Sequence, residues 1–136
     1  MGVLKPFIYS EDARSQADFY IRSLGGNLES VITHGESMGV QNDLQDKVIH
    51  MCLSVAGGNY IFMSDSMESN LQGNNMSLNI DYPSAAEAGE AFLKLADGGH
   101  VIYPFEQQPF GLYLGELTDR FGVRWMITAP SLSTQS

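Results

Sequence analysis

Apolar residues recur along the chain with two different periods, and the same succession of periods occurs twice. Ala17, Tyr20 and Leu24 lie three or four positions apart, which places them on one face of a predicted helix that ends at Gly25-Gly26. A second helix of the same kind is predicted over Ser84–Ala96, with the Ser84 hydroxyl as its N-terminal cap. The apolar face of each helix is expected to pack into a core.

Strict alternation of apolar and polar residues indicates the strands. Within the predicted strand Lys47–Val55, the residues His50, Cys52 and Ser54 alternate with apolar ones, so one face packs against a helix and the other is more polar. The other predicted strands lie near Leu4–Tyr9, Leu28–Thr33, Asn59–Ser64, Met76–Asp81, His100–Tyr103, Leu112–Thr118 and Val123–Thr128. The predicted loops are Gly35–Asp46, Asp65–Asn74 and Phe105–Gly111.

The two halves of the chain also resemble each other. Phe19–Gly26 reappears as Phe92–Gly99 at an offset of 73 residues, with strand, helix and terminating glycines in one order. The repeat predicts an α+β fold of two βαβββ modules, about residues 4–65 and 76–128, in one domain over residues 1–130, with a disordered tail at 131–136. The eight strands are expected to form a curved, half-open mixed sheet with the helices on the convex side, which leaves an inter-sheet ligand cleft on the concave side. A homodimer is expected to complete such a half-open sheet.

Composition narrows the classes of partner. The 136 residues carry a formal net charge of −9, which argues against nucleic acid because phosphate binding needs a basic patch. No apolar run approaches the roughly 20 residues that span a bilayer, and the start of the chain has no signal-peptide pattern, so a cytoplasmic protein without membrane contact is expected. The single cysteine, Cys52, excludes an intramolecular disulfide and is expected as a small buried side chain.

Several segments between about Leu4 and Thr128 are similar to those of a known superfamily. In chain order they are Pro6-Phe7-Ile8-Tyr9, Ala17-Asp18-Phe19-Tyr20, Leu24-Gly25-Gly26, Lys47-Val48-Ile49-His50, Phe62-Met63-Ser64-Asp65 and Leu117-Thr118-Asp119-Arg120-Phe121-Gly122-Val123-Arg124-Trp125-Met126-Ile127. The last of these is the most specific. The chain resembles the PhnB-like branch of the glyoxalase/bleomycin-resistance (vicinal oxygen chelate) superfamily, and this resemblance implies the same paired βαβββ arrangement.

The resemblance also implies where a metal would lie. Metal-dependent members of the superfamily use four ligands, usually His, Glu or Gln, and these places fall within a residue or two of Leu4, Phe62, Asn75 and Trp125. Leucine, phenylalanine and tryptophan cannot ligate such a cation, so no metal and no cofactor are expected. A ubiquinone-biosynthesis methyltransferase name is also attached to such sequences, but no glycine-rich loop after a strand is present to hold a methyl donor.

The candidate site residues come from the polar sheet faces and the aromatic residues. His50 is the catalytic candidate as an acid or base, and a structural hydrogen bond is the alternative for it. The predicted ligand-binding residues are Phe62, Asn75, Ser77, Asn79, Phe110 and Trp125. The aromatic members of this set either stack on a ligand or pack in the core.

Three functions remain open at this point. The leading one is binding of a small molecule without a metal, which the polar inner face and the missing ligands favour. The second is a lyase, isomerase or dioxygenase-type enzyme that uses His50 or a displaced metal site. The third is sequestration of a cationic antibiotic, which the net acidity would attract.

Overall fold

The computed structural model describes residues 1–39, 45–66, 68–69 and 73–131, which fall into two compact units, Met1–Leu71 and Gln72–Ser136. Unit 1 contains β1 (Phe7–Ser10), α1 (Ala13–Leu24), β2 (Gly26–Thr33), α2 (His34–Met38), β3 (Val48–Val55) and β4 (Asn59–Asp65). Unit 2 contains β5 (Leu78–Asp81), α3 (Ala85–Ala96), β6 (His100–Gln107), β7 (Tyr113–Thr118) and β8 (Arg124–Ala129). The predicted fold class, with two successive βαβββ modules, is confirmed.

Each unit pairs its four strands into one mixed sheet. The strand order is β1-β4-β3-β2 in unit 1 and β5-β8-β7-β6 in unit 2. In both sheets the first strand runs parallel to the last one, and the other neighbours are antiparallel. The helix that follows each first strand packs on one face of its own sheet.

In unit 1, the helix α1 covers one face of the sheet. Met51 and Leu53 of β3 point to that face and have no exposed surface, as the alternation along this strand predicted. Asp65 joins three elements, because its carboxylate accepts hydrogen bonds from Ala13 N at 2.8 Å and from Val48 N at 2.7 Å. We call the opposite face, which points away from α1, the open face of unit 1.

The internal repeat shifts by one residue along its length. The helices α1 and α3 begin at Ala13 and Ala85, an offset of 72, whereas Gly26 and Gly99 are offset by 73. A Cβ atom on either glycine would lie 1.8 or 2.3 Å from a backbone oxygen of the neighbouring strand, so only glycine fits there. The predicted offset of 73 is therefore right at the glycines and wrong by one residue in the opening strands. In a strand, an alignment error of one residue assigns every side chain to the wrong face of the sheet.

The most specific family motif builds the turn between β7 and β8. Asp119 Oδ1 accepts hydrogen bonds from Phe121 N at 2.8 Å and from Val123 N at 3.1 Å. Its Oδ2 accepts one from the indole nitrogen of Trp125 at 2.9 Å. The Asp119 carboxylate thus stabilises the turn and also binds the side chain of Trp125 in β8.

Strand β6 is longer than predicted. It passes through Pro104 and continues to Gln107, although a loop was expected from Phe105 onward. Because β6 is an edge strand that pairs only with β7, it tolerates a proline, which has no N–H to donate to a second neighbouring strand. The pairing register shifts before the proline, between Val101 and Tyr103, and again across it, between Tyr103 and Glu106.

The predicted loop Gly35–Asp46 contains the larger part of the short helix α2. Thr33 Oγ1 caps this helix by accepting a hydrogen bond from Glu36 N at 3.2 Å. Residues 40–44 of the predicted loop, 67 and 70–72 of the predicted linker, and 132–136 of the predicted tail lie outside the described residues. Within the described ranges, no helix is both long enough and apolar enough to cross a membrane.

Candidate functional site

Alternate side chains of β1, β4 and β3 point to the open face of unit 1. Phe7, Phe62 and Cys52 form one row across the sheet, because they are Cα partners in adjacent strands. Tyr9 and His50, each two residues away along its own strand, lie in the next row. The three strands therefore bring aromatic side chains from distant parts of the sequence together.

The rings of these two rows contact one another. The ring centroids are 4.9 Å apart for His50 and Phe62, 6.0 Å for Phe7 and His50, and 6.4 Å for Phe7 and Phe62. Tyr9 extends the cluster at 5.1 Å from Phe7. We call Phe7, Tyr9, His50 and Phe62 the aromatic platform. Tyr9 is 65% exposed and Phe7 is 39% exposed, so the platform offers ring surface that the core does not use.

A cation lies at one edge of the aromatic platform. Lys5 Nζ is 4.9 Å from the ring centroid of Phe62 and 5.4 Å from that of Tyr60. The Phe62 N–H donates to Pro6 O at 2.9 Å, which continues the β1–β4 pairing by one residue and holds Lys5 beside β4. The π faces of the two rings attract the ammonium group.

Cys52 is partly buried beside Phe62 on the open face, rather than in the core. Burial raises the pKa of its thiol above the ordinary value of 9.0, while nearby Lys5 lowers it and Glu29 raises it further. Because the thiolate is the reactive form, this cysteine is a poor nucleophile near neutral pH.

His50, the predicted catalytic candidate, is a member of the platform. Its ring packs against Phe7 and Phe62, and it accepts or donates no hydrogen bond within the part of the chain that the structure describes. The alternative role predicted for His50, a structural hydrogen bond, therefore has no bonding partner among the described residues.

The remaining predicted ligand-binding residues belong to unit 2. Asn79 lies on the sheet face away from α3, and its amide donates to Met126 O at 2.9 Å. Asn75 and Ser77 are exposed and precede β5, which begins two residues later than predicted. Phe110 is 71% exposed in the turn after β6.

Trp125 lies in the core of unit 2. Only 1% of its surface is exposed, and its indole N–H is bonded to Asp119. This corrects the prediction that Trp125 lines a ligand surface, because the side chain has almost no exposed surface to offer. Alternation places it on the face of β8 that packs against α3.

The residues at the four predicted metal positions do not fit a divalent cation. Leu4 is an exposed hydrocarbon chain, Phe62 is a ring of the platform, Trp125 is a core residue and Asn75 offers one amide. Within the described ranges, no group of three or more His, Cys, Asp or Glu side chains is placed to hold a metal. Since such an ion needs several oxygen, nitrogen or sulfur donors, this donor set differs from the metal sites of the superfamily.

Sequence reasoning missed Lys5, Phe7, Tyr9 and Tyr60 as members of the site. The alternation of the first three along the predicted strand Leu4–Tyr9 was a usable signal. The assumed offset of 73 instead aligned Phe7 with Ile80, which pairs with a fully buried residue of β8 on the side of α3. With the offset of 72 seen in the structure, Phe7 and Tyr9 align with the outward-facing polar residues of β5.

Known proteins share this architecture. The family model described as 3-demethylubiquinone-9 3-methyltransferase matches residues 2–128. The solved structure of PA1353 from Pseudomonas aeruginosa is 30% identical, covers 96% of this chain and 99% of its own, and superposes with a TM-score of 0.82. The chain belongs to this family.

Other known proteins are similar to this PhnB-like chain in sequence or in fold. Protein YjdN of Escherichia coli (strain K12) is 26% identical over 91% of this chain and 92% of its own length. A PhnB protein from Bacillus cereus is 24% identical with a TM-score of 0.77, covering 94% and 99% of the two chains. A glyoxalase/bleomycin resistance protein/dioxygenase from Nocardioides is 15% identical over 97% of this chain and 85% of its own, with a TM-score of 0.64, and shows the common fold. The family thus has the glyoxalase/bleomycin resistance fold, as the resemblance predicted.

Proposed function

We propose that this PhnB-like protein binds a small molecule on the open face of unit 1, through the aromatic platform and without a metal. The observation that carries the proposal is the contact cluster of Phe7, Tyr9, His50 and Phe62, which turns partly exposed rings away from the core. Apolar rings that meet on a sheet surface, with a few polar groups among them, are typical of ligand sites.

Stacking on the platform supplies the binding free energy. A fully covered aromatic side chain buries about 150–250 Å². Covering about 100 Å² of the exposed surface of Phe7 and Tyr9 contributes roughly 2.5 kcal/mol, at about 25 cal/mol per Å². A flat apolar ligand loses a similar area of its own, so the site favours planar molecules. The nitrogens of His50 then orient the ligand by hydrogen bonds.

The family description names a methyl transfer, which the proposal does not include. Nucleotide-derived cofactors on α/β sheets are commonly held by a glycine-rich loop that joins a strand to a helix N-terminus. In this chain, Gly25 ends the helix α1 and Gly57-Gly58 form the hairpin between β3 and β4. Neither glycine segment leads from a strand into a helix, so neither matches that kind of loop.

Calorimetric titration with naphthalene-2-carboxamide, a neutral planar probe, tests the proposal. Phe62→Ala removes the central ring and is expected to abolish measurable binding. Phe110→Ala removes an exposed ring of unit 2 that belongs to the predicted ligand-binding set but not to the platform, and the proposal expects this variant to keep the wild-type Kd. Thermal unfolding of both variants confirms that they are folded. Binding that survives Phe62→Ala and disappears in Phe110→Ala refutes the proposal.

A second candidate function is proton transfer by His50, which the absence of a bonded partner within the described residues favours. The imidazole would remove a proton from carbon in a ligand stacked on Phe62, and solvent would return one. In D₂O, NMR is expected to show deuterium entering the methyl group of 2-acetylnaphthalene. His50→Gln should stop this exchange even at ligand concentrations that saturate the variant, whereas an unchanged exchange rate excludes His50 as the base.

The remaining parts of the sequence interpretation stay predictions. Sequestration of a cationic antibiotic rests on the resemblance to bleomycin-binding proteins and on the net charge. The homodimer rests on the half-open sheets and is tested by sedimentation of the purified protein, for which twice the chain mass of 14.9 kDa is expected. The cytoplasmic location is tested by fractionation of cells that express the protein.

A further inference from the structure

The cation at the edge of the aromatic platform differs from the arginines of unit 1. Arg22 forms an ion pair with Asp18 at 2.8 Å, and Arg14 donates to Asp46 O at 3.4 Å. Lys5 has no carboxylate within ion-pair distance in the described ranges. In a chain with a net charge of −9, this ammonium group beside exposed rings is a local excess of positive charge.

The sheet fixes the place of this charge. The bond from Phe62 N to Pro6 O ties the residue that follows Lys5 to β4, and the Lys5 Nζ lies over the Phe62 and Tyr60 rings. Glu29, on the far strand β2, accepts a hydrogen bond from Ser54 Oγ at 3.0 Å. Ser54 is the Cα partner of Tyr60, so this carboxylate lies on the same part of the open face as Lys5, but it is held by Ser54 and forms no ion pair with Lys5 in the described residues.

We infer that the ligand of the platform is a planar aromatic acid, with its rings on the exposed surface of the aromatic platform and its anionic group at Lys5 Nζ. This inference rests on the proposed function and adds the charge of the ligand. A carboxylate forms a charge-assisted hydrogen bond with an ammonium group, which is about twice as strong as one between neutral groups. A neutral amide of the same shape lacks this gain, and a cationic ligand is repelled.

The test compares three naphthalene compounds that differ only in the charge of the substituent. Calorimetry at pH 7.5 measures the Kd of naphthalene-2-carboxylate, naphthalene-2-carboxamide and 2-naphthylmethylammonium. The acid is expected to bind about tenfold more tightly than the amide, a difference of about 1.4 kcal/mol, and the cation is expected to bind least. Added NaCl should reduce the preference for the acid.

Two lysine variants show whether Lys5 causes the preference. Lys5→Met keeps the aliphatic stem and is expected to make the Kd of the acid equal to that of the amide. Lys94→Met removes the same unit of charge from α3, where Lys94 Nζ lies 3.5 Å from Glu90, and should retain the wild-type preference. A preference that persists in Lys5→Met, or a cation that binds as tightly as the acid, overturns the inference.

The outcomes also separate this inference from the proposed function. If the acid and the amide bind equally and both lose binding in Phe62→Ala, the platform binds small molecules and the inference about charge is wrong. If none of the three compounds binds, the proposed function fails together with the inference.

Discussion

Replacing Asp119 by Ala tests whether the most specific motif of the chain is structural. The change removes the acceptor of one buried indole N–H and of two partly buried backbone N–H groups. An unsatisfied buried donor costs about 1–3 kcal/mol, and each ordinary hydrogen bond contributes about 1 kcal/mol. The free energy of unfolding is therefore expected to fall by about 3 kcal/mol, which lowers the Tm by roughly 10 °C for a chain of this size.

Urea unfolding followed by tryptophan fluorescence is the suitable assay, because Trp125 is the only tryptophan and lies in unit 2 beside Asp119. Asp97→Ala is the matched control. It removes a carboxylate whose side chain is 78% exposed and pairs with Arg120 at 3.0 Å, so a change within about 0.5 kcal/mol is expected. A fully stable Asp119→Ala protein would contradict the structural role of the motif.

Three further predictions concern single positions. Tyr82 has a buried hydroxyl without a hydrogen-bond partner in the described residues, and burial, with a smaller effect of a nearby carboxylate, raises its pKa above 10.0. Tyr82→Phe should therefore leave the free energy of unfolding unchanged or raise it by about 1 kcal/mol. The wild-type protein is expected to lose stability as the pH rises above 10.0, because the tyrosine of the unfolded chain ionises first, and denaturant titrations of Tyr82→Phe should show a smaller loss. Modification of Cys52 by a thiol reagent should reach half its maximal rate above pH 9.0, and Lys5→Met should move that midpoint higher; a midpoint below 9.0 counts against the assigned burial. Gly26→Ala should cost more than about 3 kcal/mol because its Cβ meets backbone at 1.8 Å, whereas Gly25→Ala, with φ +74° and open space, should cost about 1 kcal/mol; equal effects in chemical denaturation would refute the close approach.

The elements that the sequence could predict are those set by local chemistry. The helix α3 begins directly after its predicted cap, because the Ser84 hydroxyl accepts a backbone N–H of the first turn, and the Asp12 carboxylate caps α1 in the same way. The two faces of β3 follow directly from alternation, which placed His50 and Cys52 on the open face. Successive side chains of a strand point to opposite faces, so the face of each residue is fixed once the strand is recognised.

The features that could not be predicted depend on contacts between distant segments. An aromatic residue in a strand can face a ligand or the core, and it is the burial of Trp125 and its bond to Asp119 in the folded chain that show a core residue here. The aromatic platform depends on the register of β1 against β4. The assumed offset of 73 between the two modules was wrong by one residue there, and Phe7 was therefore assigned to the wrong face. Lys5 reaches the site from the position before Pro6, whose carbonyl is bonded to Phe62 N, and this contact between distant segments was not visible in the sequence.

The central claim is that the aromatic platform of unit 1 binds a planar small molecule without a metal. The most direct test is NMR titration of isotope-labelled, chelator-treated protein with naphthalene-2-carboxylate. The account predicts saturable shifts for the ring signals of Phe7, Phe62 and His50, with the ring signals of Phe110 unmoved. Shifts confined to Phe110, or shifts that need an added divalent metal, would contradict it.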